Sequence, residues 1–417
     1  MKQNLDQWLS YLESNHPTEI DMGLERVRIV AQRLDLFKPT PLVLLVAGTN
    51  GKGSTVTFCT EFLKTLGLNV GSYMSPHLHV YNERVRINGQ PVSDELIIES
   101  FEAIEIARQE ISLTYFEVGT LSALYIFKQQ KLDACVLEIG LGGRLDAVNI
   151  VDADGAAVTS IGLDHQDWLG SDLNQISYEK AGVFRANKAA VCGQRLPPEL
   201  LIEHANDISA NLFVKGEAFD FDCKDNLWTW RGLDTLNRPV VFEGLPYPSL
   251  PIENAATAIQ LMVQVKPELT YDQVKKGLLS AQLDGRLQVF THPFNGVMDV
   301  GHNPQAAQLL NQYLIRTPAK GRKIALLAML HDKDAPLVVK EMTQIDEWHL
   351  AGLSGYRGQT SEELRKKLPK TMVVEHCHQS VRDALDALID IVNPDDTVVV
   401  FGSFFTVAQL QDWLSSH

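Results

Sequence analysis

Cysteine is scarce in this chain. There are five in 417 residues, Cys59, Cys135, Cys192, Cys223 and Cys377, and no two stand in C-x-x-C spacing. That excludes a disulfide framework and a zinc knot of the usual spelling, and it fits a reduced, cytoplasmic compartment. Long apolar runs are missing as well: none reaches the ~18 residues that would suggest a membrane span. The opening stretch MKQNLDQWLSYLESNHP is amphipathic and acidic with no apolar h-region, so no signal peptide is expected. Blocks of positive charge are also lacking. Lys and Arg number 37 against 52 Asp and Glu, a net charge of −15, and no Lys/Arg run could form a basic face. A nucleic-acid partner is therefore not expected, and a small anionic ligand would need positive charge gathered locally at its site. Repeats and low-complexity segments are absent.

What is present reads as soluble and globular, with 45% hydrophobic and 21% charged residues and enough length for two or three cores. Strand and helix patterns alternate. PLVLLVA (41–47), NVGSYMS (69–75), DACVLEIG (133–140) and GAAVTSIG (155–162) read as short strands. Between them, helical patterns run over 55–67, from Asp94 to Glu110 behind a Ser93 cap, over 117–130 and over 172–184. Such strands between helices predict a mostly parallel sheet covered on both faces. Residues 215–250 change texture: NLWTWRG and RPVVFEG alternate as antiparallel strands do, and helix returns at 253–265, with Thr270 capping another. A second α/β series begins near 285, with apolar runs at 296–301, 323–330, 347–353, 371–376 (TMVVEH) and 396–402, and helices starting near Pro304, Thr360 and Ser380. The expected division is residues 1–284 and 285–417, the second part Rossmann-like.

VAGTNGKGS (46–54) joins the first strand to the first helix. The usual phosphate loop reads G-x-x-x-x-G-K-[ST]; here only Thr49 and Asn50 separate Gly48 from Gly51, and Gly53 intervenes between Lys52 and Ser54. The placement is nonetheless the phosphate-binding one. Free N–H groups and the dipole at a helix start favour an anion, the glycines admit it closely, Lys52 reaches phosphate oxygens, and Ser54 or Thr55 suits Mg²⁺. GLGGRLDA (140–147) nearly spells a dinucleotide fingerprint, but Leu145 stands where its third glycine belongs, so a nicotinamide cofactor is not expected. Glu138, ending an apolar strand beside the phosphate loop's strand, lies where a Mg²⁺ ligand belongs, although by itself it also reads as a plain charge at a strand exit. HCH (376–378) reads as surface residues rather than a metal site.

The spelling GTNGKGS resembles the ATP loop of the Mur ligase superfamily and, within it, of the folylpolyglutamate synthases. SPHL (75–78), NERVRING (82–89), LEIGLGGRLDAVN (137–149), SIGLDH (160–165), YEKAG (178–182), ENAATA (253–258), DGR (284–286), DVGHNP (299–304) and GSFFTV (402–407) continue the likeness in order over nearly the whole chain. TYFE (114–117) and IDMGLERV (20–27) look most like the bifunctional bacterial members. The resemblance implies an ATP-dependent amide ligase that adds L-glutamate to dihydropteroate and to folylpolyglutamates through an acyl phosphate, as a monomer acting on small molecules only.

Residue roles follow from the same resemblance. Thr49, Asn50, Gly51, Lys52, Gly53, Ser54, Asn254, Arg286 and Asp299 would contact ATP. Ser75, Glu138 and His165 would hold Mg²⁺. Lys180 would be carbamylated and, with Lys52 and His302, take part in catalysis. Asp21, Met22, Gly23 and Leu24, Thr114, Tyr115, Phe116, Glu117, Val118, Gly119, Thr120 and Leu121, and Leu145, Asp146 and Ala147 would line the dihydropteroate site, with Phe116 able to stack on the pterin. Gly301 stands where the family usually has Ala before the histidine. Two other functions stay open: a Mur-type ligase on another carboxylate acceptor such as a UDP-sugar peptide, and a non-catalytic nucleotide-binding regulator. The first usually has a further N-terminal domain, for which a loop starting at residue 48 leaves no room.

Overall fold

The computed structural model describes residues 4–15, 21–317 and 320–416. Ile20, the first residue of IDMGLERV, lies outside them. The chain divides into two compact units, Met1–Gln282 and Leu283–His417.

In the first unit the strands are β1 (Leu42–Ala47), β2 (Val70–Tyr73), β3 (Val85–Ile87), β4 (Gln90–Pro91), β5 (Ala134–Glu138), β6 (Gly155–Val158), β7 (Ala189–Cys192) and β8 (Asn211–Val214). They form one sheet in the order β4-β3-β2-β5-β1-β6-β7-β8. β2, β5, β1, β6, β7 and β8 are parallel, and the β3–β4 hairpin runs antiparallel at one edge. β1 is apolar at every position because both of its faces are covered, as a central parallel strand requires. Val43, Leu45 and Ala47 pack into a core shared with Val118, Leu121 and Phe127 of the Tyr115–Gln129 helix. On the other face, the Lys52–Thr65 and Ile252–Val265 helices pack together over β1, β5, β6 and β7. The strand register aligns the chain's functional segments. Val46 of β1 lies opposite Glu138 of β5, and Tyr73 of β2 opposite Leu137, so the ends of β2, β5, β1 and β6 form one continuous edge.

The change of texture after 215 is an antiparallel sheet of β9 (Asp220–Lys224), β10 (Leu227–Leu233) and β11 (Pro239–Pro246), in the order β11-β10-β9. Trp228 and Trp230 alternate inward from β10, and their ring N–H groups are satisfied by the carbonyls of Pro246 at 2.9 Å and Ala256 at 3.1 Å.

The second unit contains β12 (Gln288–Phe290), β13 (Gly296–Asp299), β14 (Lys323–Leu327), β15 (Glu347–Ala351), β16 (His376–His378) and β17 (Thr397–Phe401), ordered β12-β13-β17-β14-β15-β16. Only β12 is antiparallel to its neighbour, and the architecture is a Rossmann-like α/β sheet. The strand expected over TMVVEH falls instead at His376–His378. Met372 and Val374 pack against the core without pairing, and the ladder with β15 starts only after Glu375 N–H has bonded to the Trp348 carbonyl at 2.9 Å. Apolar content there marks packing, not pairing.

Candidate active site

The helix after β1 begins at Lys52, three residues before the 55–67 helical pattern. Gly51, at φ +86°, turns the chain into the helix, and a Cβ there would overlap the buried Asn254 amide. Asn254 therefore belongs to the first unit and packs on the loop itself. Gly48, at φ +145°, leaves room for the Thr159 hydroxyl. That hydroxyl donates to the carbonyl of Asn50 at 2.6 Å, Asn50 N–H donates to Ser160 Oγ at 3.0 Å, and Thr49 N–H to the Ser160 carbonyl at 2.8 Å. The loop is thus held in shape by the residues after β6. Lys52 Nζ folds back onto the carbonyls of Gly48 and Thr49 at 3.1 and 3.2 Å. Gly53 and Ser54 lie in the first turn, Ser54 buried. Thr55 is also buried, and its Oγ1 has no hydrogen-bond partner among the described residues.

Around this loop the sheet edge gathers further groups. Glu138 ends β5 and is buried. Ser75 comes after β2, half-buried, and begins a cis Ser75–Pro76 bond. His165 comes after β6 with φ +50°, exposed, its Nε2 3.9 Å from Asp164. A small cavity is lined by Lys52, Gly140, Asp164, His165 and Lys180 among others. Lys180 lies in the Leu173–Ala181 helix and is 3% exposed. No hydrogen bond reaches its Nζ among the described residues, and burial, reinforced by the Lys52 cation, pulls its ammonium down to about 7. The glycines of GLGG allow this approach: a side chain at Gly143 would come within 2.6 Å of the Glu179 carbonyl on the lysine's helix.

The expected acceptor residues also come together. Thr114 caps the Tyr115–Gln129 helix: Glu117 N–H donates to its hydroxyl at 3.1 Å, and Glu117 accepts from Thr114 N–H at 2.7 Å. Arg26 clamps the 21–24 segment onto that turn, donating to Glu117 at 3.2 Å and pairing with Asp21 at 2.8 Å. Met22, Gly23 and Leu24 lie between, partly buried. The half-buried Phe116 ring lies against Gly140, 6.2 Å from the Tyr73 ring, and Tyr115 flanks Tyr81. Val118, Gly119, Thr120 and Leu121 are buried within the helix, Gly119 making room for the Tyr73 and Tyr81 hydroxyls. Leu145 is half-buried and Ala147 buried. Asp146 accepts from Leu141 N–H at 2.8 Å and Val148 N–H at 2.9 Å, yet burial pushes its carboxyl up to about 7. Sequence reasoning missed Arg26, Arg84, Thr159 and Ser160. Arg84 donates to His77 Nδ1 at 2.9 Å and lies over the rings of Tyr81 and Tyr115, 5.5 Å from each. The motifs NERVRING and TSIG contain Arg84, Thr159 and Ser160, and IDMGLERV contains Arg26, but only the fold shows what these residues hold.

Within the second unit, Asp299 ends β13, buried, and accepts from Leu287 N–H at 3.0 Å and Gly301 N–H at 2.7 Å. Burial raises its carboxyl, with Arg286 opposing. The guanidinium of Arg286 lies 5.6 Å from the Phe404 ring, and the His302 ring, with Nδ1 3.0 Å from the Val300 carbonyl, approaches the same phenylalanine at 6.5 Å. His349 on β15 lies 3.0 Å from His378 and 2.9 Å from Glu347. Among the described residues no three His, Cys, Asp or Glu side chains are arranged to hold a metal ion, and none of the helices is long and apolar enough to cross a membrane.

Comparison with known proteins places this geometry. Residues 46–208 match the Mur ligase middle domain, and residues 285–404 the Mur ligase glutamate ligase domain. The dihydrofolate synthase/folylpolyglutamate synthase of Escherichia coli (strain K12) is 44% identical over 414 residues, 99% of this chain and 96% of that protein. E. coli FolC in complex with DHPP and ADP superposes with a TM-score of 0.94 at 43% identity, covering 99% of this chain and 98% of that one. A bifunctional folylpolyglutamate synthase/dihydrofolate synthase with Mn, AMPPNP and L-glutamate bound gives a TM-score of 0.91 at 44% identity, with the same coverage. The fold is that of a Mur ligase. Within that class, the chain belongs to the dihydrofolate synthase/folylpolyglutamate synthase family.

Proposed function

We propose that this chain is an ATP-dependent amide ligase that joins L-glutamate to the carboxylate of dihydropteroate, forming dihydrofolate, and to that of folylpolyglutamates. The observation that carries the reading is the shared sheet edge. A phosphate loop and a buried acid (Glu138) lie there, with a buried lysine (Lys180) that has no hydrogen bond among the described residues facing the same small cavity as Lys52, next to the aromatic rings and acids expected to hold the acceptor. Membership of the family and its relatives' nucleotide, metal and glutamate ligands support it.

Each group has its own task in this reaction. Lys52 and the amides of Thr49–Ser54 hold the ATP phosphates, Lys52 exchanging its two carbonyl contacts for phosphate oxygens. Asn254 fixes the loop's turn, while Arg286 and Asp299 bind the nucleotide and His302 serves glutamate or phosphate. The residues present fit Mg²⁺: hard oxygen from Glu138 and Ser75, the orphan Thr55 hydroxyl at the loop, and His165 after the next strand. Mg²⁺, when bound, neutralises the phosphate charge that builds up during transfer. Asp21–Leu24, Thr114–Leu121 and Leu145–Ala147 hold the acceptor so that one carboxylate oxygen faces the γ-phosphorus. That oxygen displaces ADP and forms an acyl phosphate. The glutamate amine then attacks the acyl carbon, phosphate leaves, and the nitrogen loses a proton. Lys180 acts as its carbamate, an anion in place of a cation. The protein works as a cytoplasmic monomer on small molecules, without nucleic-acid or membrane partners.

Incubation with ATP, glutamate and either dihydropteroate or tetrahydrofolate, followed by mass analysis, tests this reading. A glutamyl increment on both acceptors is expected. An increment on neither refutes the proposal, and one on a UDP-sugar peptide alone would favour the Mur-type alternative.

A further inference from the structure

Beside the acceptor site lies a second cavity, of about 460 Å³, lined by Leu24, Arg28, Phe37, Arg144, Asp152 and Arg185 among others. It shares Leu24 with the 21–24 segment, and Arg144, Asn149 and Ile150 flank the 145–147 loop on both sides, so the two sites are contiguous. Its charge is unlike that of the molecule. The chain carries −15 overall, yet three arginines face this one hollow and, among the described residues, Asp152 is the only acid in its wall.

The three cations are in different states. Arg144 is neutralised by Glu179, at 2.7 Å. Arg185 is fixed rather than neutralised: its guanidinium donates to the carbonyls of Val183, Asn149 and Val151, each at 3.0 Å, and to Asn149 Oδ1 at 2.8 Å. Burial pulls its ionisation below the usual arginine value; the Asp152 carboxylate in the same wall opposes this and the Arg28 charge reinforces it. Arg28 is exposed on the Glu25–Leu34 helix and has no hydrogen bond or ion pair among the described residues. Arg28, without a counter-charge among the described residues, and Arg185, offset in part by Asp152, leave the hollow with an excess of positive charge, so its electrostatics improve when an anion enters.

The ligand's chemistry is set by the neighbouring site, and this step rests on the proposed function. Dihydropteroate brings a single carboxylate, the one that reacts. A folylpolyglutamate presents its terminal carboxylate to the same phosphate and brings a further free carboxylate with every glutamyl residue. Those extra anions need cations close to the acceptor site but away from the phosphate loop. We infer that the Arg28–Arg144–Arg185 cavity is a polycarboxylate subsite that holds the glutamyl tail of longer acceptors and distinguishes them from dihydropteroate. Phe37 and Leu24 supply the apolar wall for the tail's methylene groups.

The test uses the full-length enzyme with Arg28→Ala and Arg28→Lys, since Arg28 is exposed and its replacement leaves the core untouched. KM is measured for dihydropteroate and for a tetrahydropteroyl triglutamate, and binding of free tri-γ-glutamate by calorimetry. Arg28→Ala should raise KM for the triglutamate by about fivefold, the size expected for one half-exposed charge pair, and change that for dihydropteroate by less than about twofold. Arg28→Lys should recover most of the loss, and added salt should weaken tri-γ-glutamate binding to the wild type. Equal effects on both acceptors, no effect on either, or wild-type protein that does not bind tri-γ-glutamate overturns the inference. Wild-type protein that makes dihydrofolate while failing these comparisons sinks this subsite alone. Protein that glutamylates no pteroyl acceptor sinks the proposed function, and this subsite with it.

Discussion

Lys180 and Gly51 show how much chemistry can depend on one atom's surroundings. A lysine reacts with CO₂ only as the neutral amine, and burial at Lys180, with the Lys52 charge nearby, brings its ionisation to about 7. At fixed dissolved CO₂, the neutral fraction at pH 6 is smaller than at pH 8 by about tenfold, so ¹³C carbamate at this residue should fall by at least that factor. Equal occupancy at both pH values would count against a buried amine. The same shift makes a stability statement. The unfolded lysine, near 10.5, holds a proton that the folded one has lost, so between about 7 and 10.5 stability rises with pH, and below about 7 the term is flat. Gly51→Ala must place a Cβ at φ +86° against the Asn254 amide. It should lower stability by about 1–2 kcal/mol and raise KM for ATP while leaving KM for the acceptor near its original value, as thermal melts and steady-state kinetics would report. Some of this was readable from sequence. GTNGKGS announced a phosphate turn because glycine and lysine spacing is local chemistry. The burial of Lys180 was not readable, because the GLGG loop that covers it lies some forty residues away.

At the scale of elements, the phosphate loop and the acceptor turn are each held by partners distant in sequence. Thr114 both starts its helix and, through Glu117, receives the Arg26 clamp. Thr114→Ala should therefore destabilise the protein by about 1 kcal/mol, the usual value of an N-cap, and raise KM for dihydropteroate more than KM for ATP. A change confined to stability, with both KM values unmoved, would show that the cap does not shape the acceptor pocket. Elements were the most legible level of the chain: apolar runs between helical patterns gave β1, β2 and β5 to within two residues at each end, whereas the run at 155–162 pairs only as far as Val158, its TSIG half turning to hold the phosphate loop. TMVVEH misled because side chains that pack without pairing carry the same apolar signature as a strand. Arg26 and Arg84 escaped notice for a related reason: an arginine's partners across a fold leave no periodic trace.

For the whole molecule, the account rests on one reaction order: carboxylate to acyl phosphate, then amide. Family membership and the sheet edge lead to that order, and neither depends on which pteroyl acceptor is preferred. The balance between the first glutamate and later ones lies in pocket shape and in cations such as Arg28, which a motif search passes over because it belongs to no motif. The order itself leaves an isotopic record. Dihydropteroate labelled with ¹⁸O in both carboxylate oxygens is incubated with the protein, ATP, Mg²⁺ and glutamate, and the released phosphate is examined by mass spectrometry. Direct attack of the carboxylate on the γ-phosphorus predicts that each phosphate released with dihydrofolate carries one ¹⁸O. Dihydrofolate formed together with unlabelled phosphate would contradict the mechanism.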